Sequence, residues 1–170
     1  MSGSGKKIVV ISDTHIPRSA SDLPKEVYDS IKKADLVLHA GDFSEFQVLR
    51  NLERIKNTVA VYGNMDSAQL KGKLKPKEII CIGNIKIGLI HGGGPPSGLI
   101  EHVGREFKNV DAIVFGHAHS PTNLVRDGVL FFNPGSPTDR VFSAYNSYGI
   151  LHVSESSVKG DIVRIERKER

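Results

Sequence analysis

Five short apolar runs in this chain each break off into a polar segment built from Asp, His, Asn and Gly. Ile8–Ile11 leads into Ser12-Asp13-Thr14-His15, Leu36–Leu38 into His39-Ala40-Gly41-Asp42, and Val59–Tyr62 into Gly63-Asn64-Met65-Asp66. Ile85–Ile90 runs into His91-Gly92-Gly93-Gly94, and Ala112–Phe115 into Gly116-His117-Ala118-His119. Short apolar runs without strict alternation are those of strands buried on both faces. In sheets with parallel strands, functional groups gather where strand ends meet loops. The five segments therefore predict one site assembled from five strand ends, with glycines allowing sharp turns and close backbone approach.

The intervening sequence sets the architecture. Pro24–Lys33 reads as a helix with Asp22 as its cap and Pro24 in its first turn, and Glu45–Ile55 reads as a second. This βαβα start predicts parallel pairing. The second half changes character. Glu78–Ile82 and Ile85–Ile90 flank Gly83-Asn84, and Asn123–Arg126 and Val129–Phe132 flank Asp127-Gly128, both good hairpin turns. Ser97–Phe107 reads as a helix, and Ser147–Val153 with Val158–Ile165 as a closing strand pair. Together these predict mixed sheets with helices outside. Met1–Lys6 is set apart as a flexible tail, leaving 7–170 as a single domain.

The polar residues agree in chemistry. Asp13, His15, Asp42, Asn64, His91, His117 and His119 are oxygen and nitrogen donors of the kind that suit first-row divalent metals. Two aspartates, one asparagine and four histidines exceed what one ion takes and suit two ions sharing a carboxylate. Two carboxylates and neutral imidazoles carry about −2 against about +4 from the ions, and a bridging hydroxide leaves about +1, a field suited to an anionic phosphate. Each residue alone has a bland reading. Asp13, His15, His117 and His119 could be turn residues, Asp42 a helix cap, Asn64 a left-handed turn, and His91 a core histidine. His39 is read as a packing or supporting residue.

In their order and spacing, Asp13-x-His15, Gly41-Asp42, Gly63-Asn64, His91-Gly92 and Gly116-His117-x-His119 resemble the calcineurin-like metallophosphoesterases. The short chain and Asn133-Pro134-Gly135-Ser136 resemble the small prokaryotic YfcE-type branch, which includes the retromer subunit of this fold. The resemblance spans Lys7 to Ile165 and implies an α/β (α+β) four-layer αββα sandwich of two mixed sheets flanked by helices. It also implies two divalent metal sites: Asp13, His15, Asp42 and His119 at one, and Asp42, Asn64, His91 and His117 at the other, with Asp42 bridging. Asp42, Asn64 and His91 then carry catalysis, and the loop of Asn133 and Gly135 supports the site. Manganese is the leading metal assignment, with nickel, iron, cobalt and zinc compatible. The expected activity is phosphoesterase, and within that phosphodiesterase, by in-line attack of a metal-bridging hydroxide.

One position departs from the family. Larger members carry a histidine directly after the motif asparagine, where this chain has Met65. A thioether donates no proton. The departure predicts a preference for good leaving groups, or protonation by water or by Asp66 with a raised pKa.

Composition narrows the function classes. The net charge is +4 and 39% of residues are hydrophobic, with a single cysteine, Cys81, which excludes an intrachain disulfide and fits a cytoplasmic location. The basic excess is dispersed or gathered at Arg164, Arg167, Lys168 and Arg170, with no aromatic-rich basic stripe. A small phosphorylated substrate is therefore expected rather than nucleic acid, with no membrane span, and a homo-oligomer is left open. The competing readings are a metal-binding protein-interaction scaffold like the retromer subunit, and a nuclease, which would need a DNA-binding part not found here.

Overall fold

The computed structural model describes residues 5–167. Among the described residues, ten strands form two five-stranded sheets. The first sheet starts with β1 (Lys6–Ile11), β2 (Leu36–His39) and β3 (Thr58–Ala60), all parallel. Its other side is the antiparallel pair β9 (Asn146–Val153) and β10 (Val158–Ile165), in the order β10-β9-β1-β2-β3. The second sheet has a parallel centre of β5 (Ile85–Ile90), β6 (Ala112–Val114) and β8 (Val129–Asn133). Its edges are β4 (Lys77–Ile82) and β7 (Thr122–Arg126), each antiparallel to its hairpin partner, in the order β4-β5-β6-β8-β7. The predicted hairpins are both present. At the second, Asp127 and Gly128 have φ of 51° and 77°, the paired positive values of a two-residue hairpin turn that matches strand twist.

Burial assigns the layers. Along β1, Val9 and Ile11 join the core that covers the outer face of the first sheet, while Ile8 and Val10 join the core between the sheets. The outer core receives α1 (Lys25–Lys32) through Val27 and Ile31, α2 (Phe46–Ile55) through Val48, Leu49 and Leu52, and α3 (Ala68–Lys73) through Leu70. These i, i+3, i+4 sets are the apolar stripes of helices lying on a sheet. Between the sheets, Leu38, Val61 and Leu151 meet Ile87, Leu89, Val114 and Phe132. On the far side α4 (Leu99–Gly104) packs Leu99 and Val103 against Ile113, Phe115 and Phe131. The result is the expected four-layer αββα sandwich.

Local expectations needed adjustment. Lys6 belongs to β1 rather than to a tail, while Met1–Ser4 of that tail, and Lys168 and Arg170 of the basic C-terminus, lie outside the described residues. Asp22 does not cap α1; its carboxylate accepts from the Leu23 N–H and the Tyr28 hydroxyl. The helix expected over 97–107 is a 3-10 turn at Pro96–Gly98 followed by six α-helical residues. β3 ends at Ala60, and Val61 makes an isolated parallel bridge to Lys75. Helix α3, capped by the Ser67 hydroxyl accepting from Leu70 N–H, was not anticipated, because six residues are too few to show periodicity. No helix among the described residues is long and apolar enough to cross a membrane.

Candidate metal centre

The C-terminal ends of the parallel strands of both sheets meet along one edge of the sandwich. His91, at the end of β5, donates from Nδ1 to the Ala40 carbonyl after β2, 2.8 Å away, and so ties one sheet to the other. Asp13 N–H donates to the Gly41 carbonyl, and His15 N–H to that of Asp42. His117 N–H crosses from the β6 loop to Asp13 Oδ2 at 3.0 Å.

Each aspartate divides its two oxygens between support and site. Asp13 Oδ2 accepts from Ser12 Oγ (2.7 Å) and His117 N–H, while Asp13 Oδ1 is buried without a hydrogen-bond partner. Around Oδ1 stand His119 Nε2 at 3.3 Å, His15 Nε2 at 3.8 Å and His91 Nε2 at 3.9 Å. Asp42 Oδ1 accepts from Met65 N–H at 2.9 Å, while Oδ2 faces His91 Nε2 at 3.1 Å and His15 Nε2 at 3.7 Å. Two groupings result, Asp13 with His15 and His119, and Asp13 with Asp42 and His91, each with ligand atoms within 4.8 Å of one another. Asp13 belongs to both, and Asp42 Oδ2 lies near a histidine of each.

Elementary bonding rules say what this arrangement lacks. A carbonyl only accepts, so His91 carries its proton on Nδ1, and its neutral form presents a lone pair at Nε2. That lone pair faces a carboxylate oxygen at 3.1 Å, a repulsive pairing unless a proton or a metal cation lies between. Buried polar atoms are otherwise nearly always paired, yet Asp13 Oδ1, His15 Nε2 and His91 Nε2 all converge here unpartnered. Without a cation, protons take its place. Burial opposes charge on His91, but Asp42 and Asp13 outweigh it and lift its pKa to about 9. Burial would likewise raise the Asp13 carboxyl, but His119, His15 and His91 hold it well below the usual carboxylate range. Two acids and three imidazoles, with Asp13 Oδ1, His15 Nε2 and His91 Nε2 orphaned among them, fit a divalent-cation site of mixed oxygen and nitrogen donors.

The backbone is strained where the site is built. Asp13, His15, Asp42, His117 and His119 all have positive φ, between 43° and 71°. Non-glycine residues held there cost on the order of 1–3 kcal/mol each, and such strain collects at functional sites. Close approach also dictates glycine: a Cβ on Gly63 would overlap the Asp42 carboxylate, and one on Gly116 would overlap Ser12 Oγ and sit 2.6 Å from Asp13 Oδ2.

The remaining predicted residues divide. His39 is fully buried, stacks on Phe43 with ring centroids 3.5 Å apart, accepts Gly41 N–H at Nδ1 and meets Thr14 Oγ1 with Nε2. Both nitrogens are engaged, and burial pushes its pKa down to about 3. Asp66 accepts three backbone N–H groups, from Asp42 and Gly63 on Oδ2 and from Ser44 on Oδ1, at 2.8–3.0 Å. It clamps the β2 loop to the β3 loop, which is an orienting task. Asn133 bridges the Gly116 carbonyl and Gly135 N–H, and Gly135 (φ 73°) leaves room for Ser147 Oγ. Asp42 does not cap α2, whose N-terminal position is Glu45. Asn64 is exposed and lacks the positive φ of a left-handed turn. His117 Nε2 donates to the Gly94 carbonyl at 2.9 Å, which leaves the Nδ1 lone pair for a ligand. His117 is in neither of the two groupings.

Sequence reasoning missed several supports. Ser136 Oγ and Thr138 Oγ1 donate to the Asp13 and Thr14 carbonyls at 2.8 and 2.6 Å. Asp139 Oδ2 stands 3.5 Å from His119 Nδ1. A Thr or Asp in a loop carries no spacing signal, so only the Asn133-Pro134-Gly135-Ser136 turn hinted at this segment.

The calcineurin-like phosphoesterase superfamily domain matches residues 7–156, and the chain belongs to that family. It is 42% identical over 141 residues to a "probable metallophosphoesterase" of Methanocaldococcus jannaschii, covering 80% of this chain and 70% of that one. Among solved structures, Vacuolar Protein Sorting 29 of Cryptosporidium parvum shares the fold with a TM-score of 0.77 at 24% identity, covering 97% of this chain and all (100%) of that one. Wild-type Vps29 of Entamoeba histolytica complexed with Zn²⁺ matches with a TM-score of 0.70 at 26% identity, over 93% of this chain and 98% of that one.

Proposed function

We propose that this protein is a phosphodiesterase working with two divalent metal ions on a small phosphorylated substrate in the cytoplasm. The observation that carries the reading is that Asp13 Oδ1, shared by two groupings of ligand atoms, is buried without a hydrogen-bond partner between His15 Nε2 and His91 Nε2, which are equally unpartnered. Asp13, His15, Asp42 and His119 would hold one ion. Asp42, Asn64, His91 and His117 would hold the other, His117 through Nδ1. Manganese is the first assignment, and nickel, iron, cobalt or zinc suit the same donors. When bound, the ions supply Lewis-acid stabilisation of the phosphoryl charge and a hydroxide nucleophile at neutral pH.

The chain's own residues do the rest. Met65 N–H and the Ser12 and His117 donors turn one oxygen of each carboxylate inward. Asp66 fixes the loops of Asp42 and Asn64 relative to each other. Met65 itself offers no proton, and Asp66 has both oxygens on backbone N–H groups, so leaving groups stable as anions are preferred. The test is hydrolysis of bis-p-nitrophenyl phosphate by protein stripped of metal and then given Mn²⁺, beside Asp42→Ala. Metal-dependent turnover lost in the variant is expected; bound metal with no turnover overturns the reading. The likeness to Vps29 favours one alternative, a metal-binding scaffold for another protein. That alternative predicts the second result.

A further inference from the structure

The loop between β8 and β9 carries the most exposed aromatic ring beside the metal centre. Phe142 is 75% exposed, yet its ring lies 5.5 Å from that of His119, nearly perpendicular to it. The ring is not on a loose tether. The N–H groups of Val141, Phe142 and Ser143 all donate to the Asp139 carboxylate at 2.6–3.0 Å, as does Ser143 Oγ. Arg167, just beyond β10, donates to the carbonyls of Asp139 and Ser143 and to Asn146 Oδ1, and Asn146 returns a bond to the Asp139 carbonyl. An apolar ring is thus held in water, on a tightly hydrogen-bonded turn, one side chain away from the candidate metals.

The other grouping has a matching neighbour. Met65, whose N–H anchors Asp42, is 48% exposed. An aromatic face on the His119 side and a polarisable thioether on the Asp42 side are poor walls for a charged or heavily hydroxylated substrate. They are good walls for a flat π-system, since rings stack on Phe and sulfur contacts ring edges favourably.

We propose that Phe142 is a specificity-determining residue that receives a planar aromatic group on the part of the substrate that stays with the phosphate, with Met65 offering a second contact on the Asp42 side. The inference rests on the phosphodiesterase reading and names its substrate class: phosphoesters with an aryl or nucleobase ring. Stacking of a ring on an aromatic side chain corresponds to a preference of roughly 5- to 150-fold.

Two measurements test it separately from the parent reading. The first compares kcat/KM for phenyl p-nitrophenyl phosphate and methyl p-nitrophenyl phosphate, which share a leaving group, in the Mn²⁺-loaded protein. The phenyl ester is expected to be preferred by that factor in the wild type, by less than about twofold in Phe142→Ala, and again by the larger factor in Phe142→Trp. The second needs no turnover: calorimetric binding of phenylphosphonate against methylphosphonate, and of adenosine 5′-monophosphate against ribose 5-phosphate. Discrimination in the first pair assigns an aryl ring and in the second a nucleobase, and either supports the inference if Phe142→Ala removes it. No discrimination in any pair, or discrimination untouched by Phe142→Ala with an unchanged melting temperature, overturns it. Turnover of both diesters without discrimination overturns the inference and leaves the phosphodiesterase reading standing. Phe142-dependent binding without turnover does the reverse.

Discussion

Replacing Asp66 by Asn separates its two sequence-level roles, proton donor and orienting carboxylate. The carboxylate accepts three N–H groups: Asp42 and Gly63 on Oδ2, Ser44 on Oδ1. An amide keeps one acceptor. With its oxygen at the Oδ2 position it holds the first two donors, but its NH₂ then meets the Ser44 N–H donor to donor. One hydrogen bond to a charged acceptor, worth about 1.5–3 kcal/mol, is lost, and two others fall to neutral strength. We expect a loss of about 3 kcal/mol, which in a domain of this size lowers the melting temperature by about 6–12 °C. Because Asp66 fixes the backbone of Asp42, Mn²⁺ affinity should also fall by roughly 10- to 100-fold, as for other residues that orient ligands. Thermal unfolding of the metal-free protein and a chelator competition read the two effects. If Asp66 were instead the general acid, stability and affinity would hold, and only turnover of esters with poor leaving groups would drop. That pattern would refute the clamp.

Other consequences follow from the same geometry. Gly116→Ala places a methyl group against Ser12 Oγ and Asp13 Oδ2; overpacking of about 1–3 kcal/mol and loss of metal binding are expected by thermal unfolding and calorimetry. His91, with its pKa raised to about 9 in the metal-free protein, must lose its proton to ligate. Apparent Mn²⁺ affinity should therefore climb as pH rises from 6 towards 9, and calorimetry in buffers of different ionisation enthalpy should detect proton release at pH 7. The same proton stabilises the metal-free fold fully below about pH 6.5, and that contribution is lost as pH rises through about 9. Asp139 runs the opposite way. Burial would raise its carboxyl, but the Ser143 hydroxyl and the Val141 and Ser143 N–H groups hold it at about 2. The stability gap between wild type and Asp139→Asn should be constant above about pH 4 and close as pH falls towards 2, as followed by urea unfolding. With Met65 in place of a proton donor, turnover across a series of esters should fall steeply as the leaving group becomes more basic; a flat profile would point to a donor not yet identified.

What the sequence made legible follows from how it encodes structure. Strands such as Ile8–Ile11 and Ala112–Val114 are apolar on both faces because the sandwich buries both, so the runs themselves announced the central layers. The candidate site residues were visible because each sits at the end of such a run, where the chain must turn and glycine must recur. Short elements escaped: α3 depends on Leu70 and a Ser67 cap, too little for a periodic signal. The supports escaped for a different reason. Asp139 meets His119, and Arg167 meets the Asp139 carbonyl, through tertiary contacts between segments 20 and 28 residues apart, with no local pattern. Asp22 misled because a carboxylate two residues before a first-turn proline resembles a cap, yet a nearby tyrosine hydroxyl and N–H took it. His39, expected as a packing or supporting residue, contacts Thr14 and Phe43.

The claim underlying all of this is that the two carboxylates and the histidines enclose two metal ions. Crystals of the Mn²⁺-loaded protein, measured at the manganese absorption edge, test it directly. Two anomalous peaks roughly 3.5–4 Å apart, with Asp42 between them, are predicted. A single peak held by Asp13, His15 and His119 alone, or none, would contradict it.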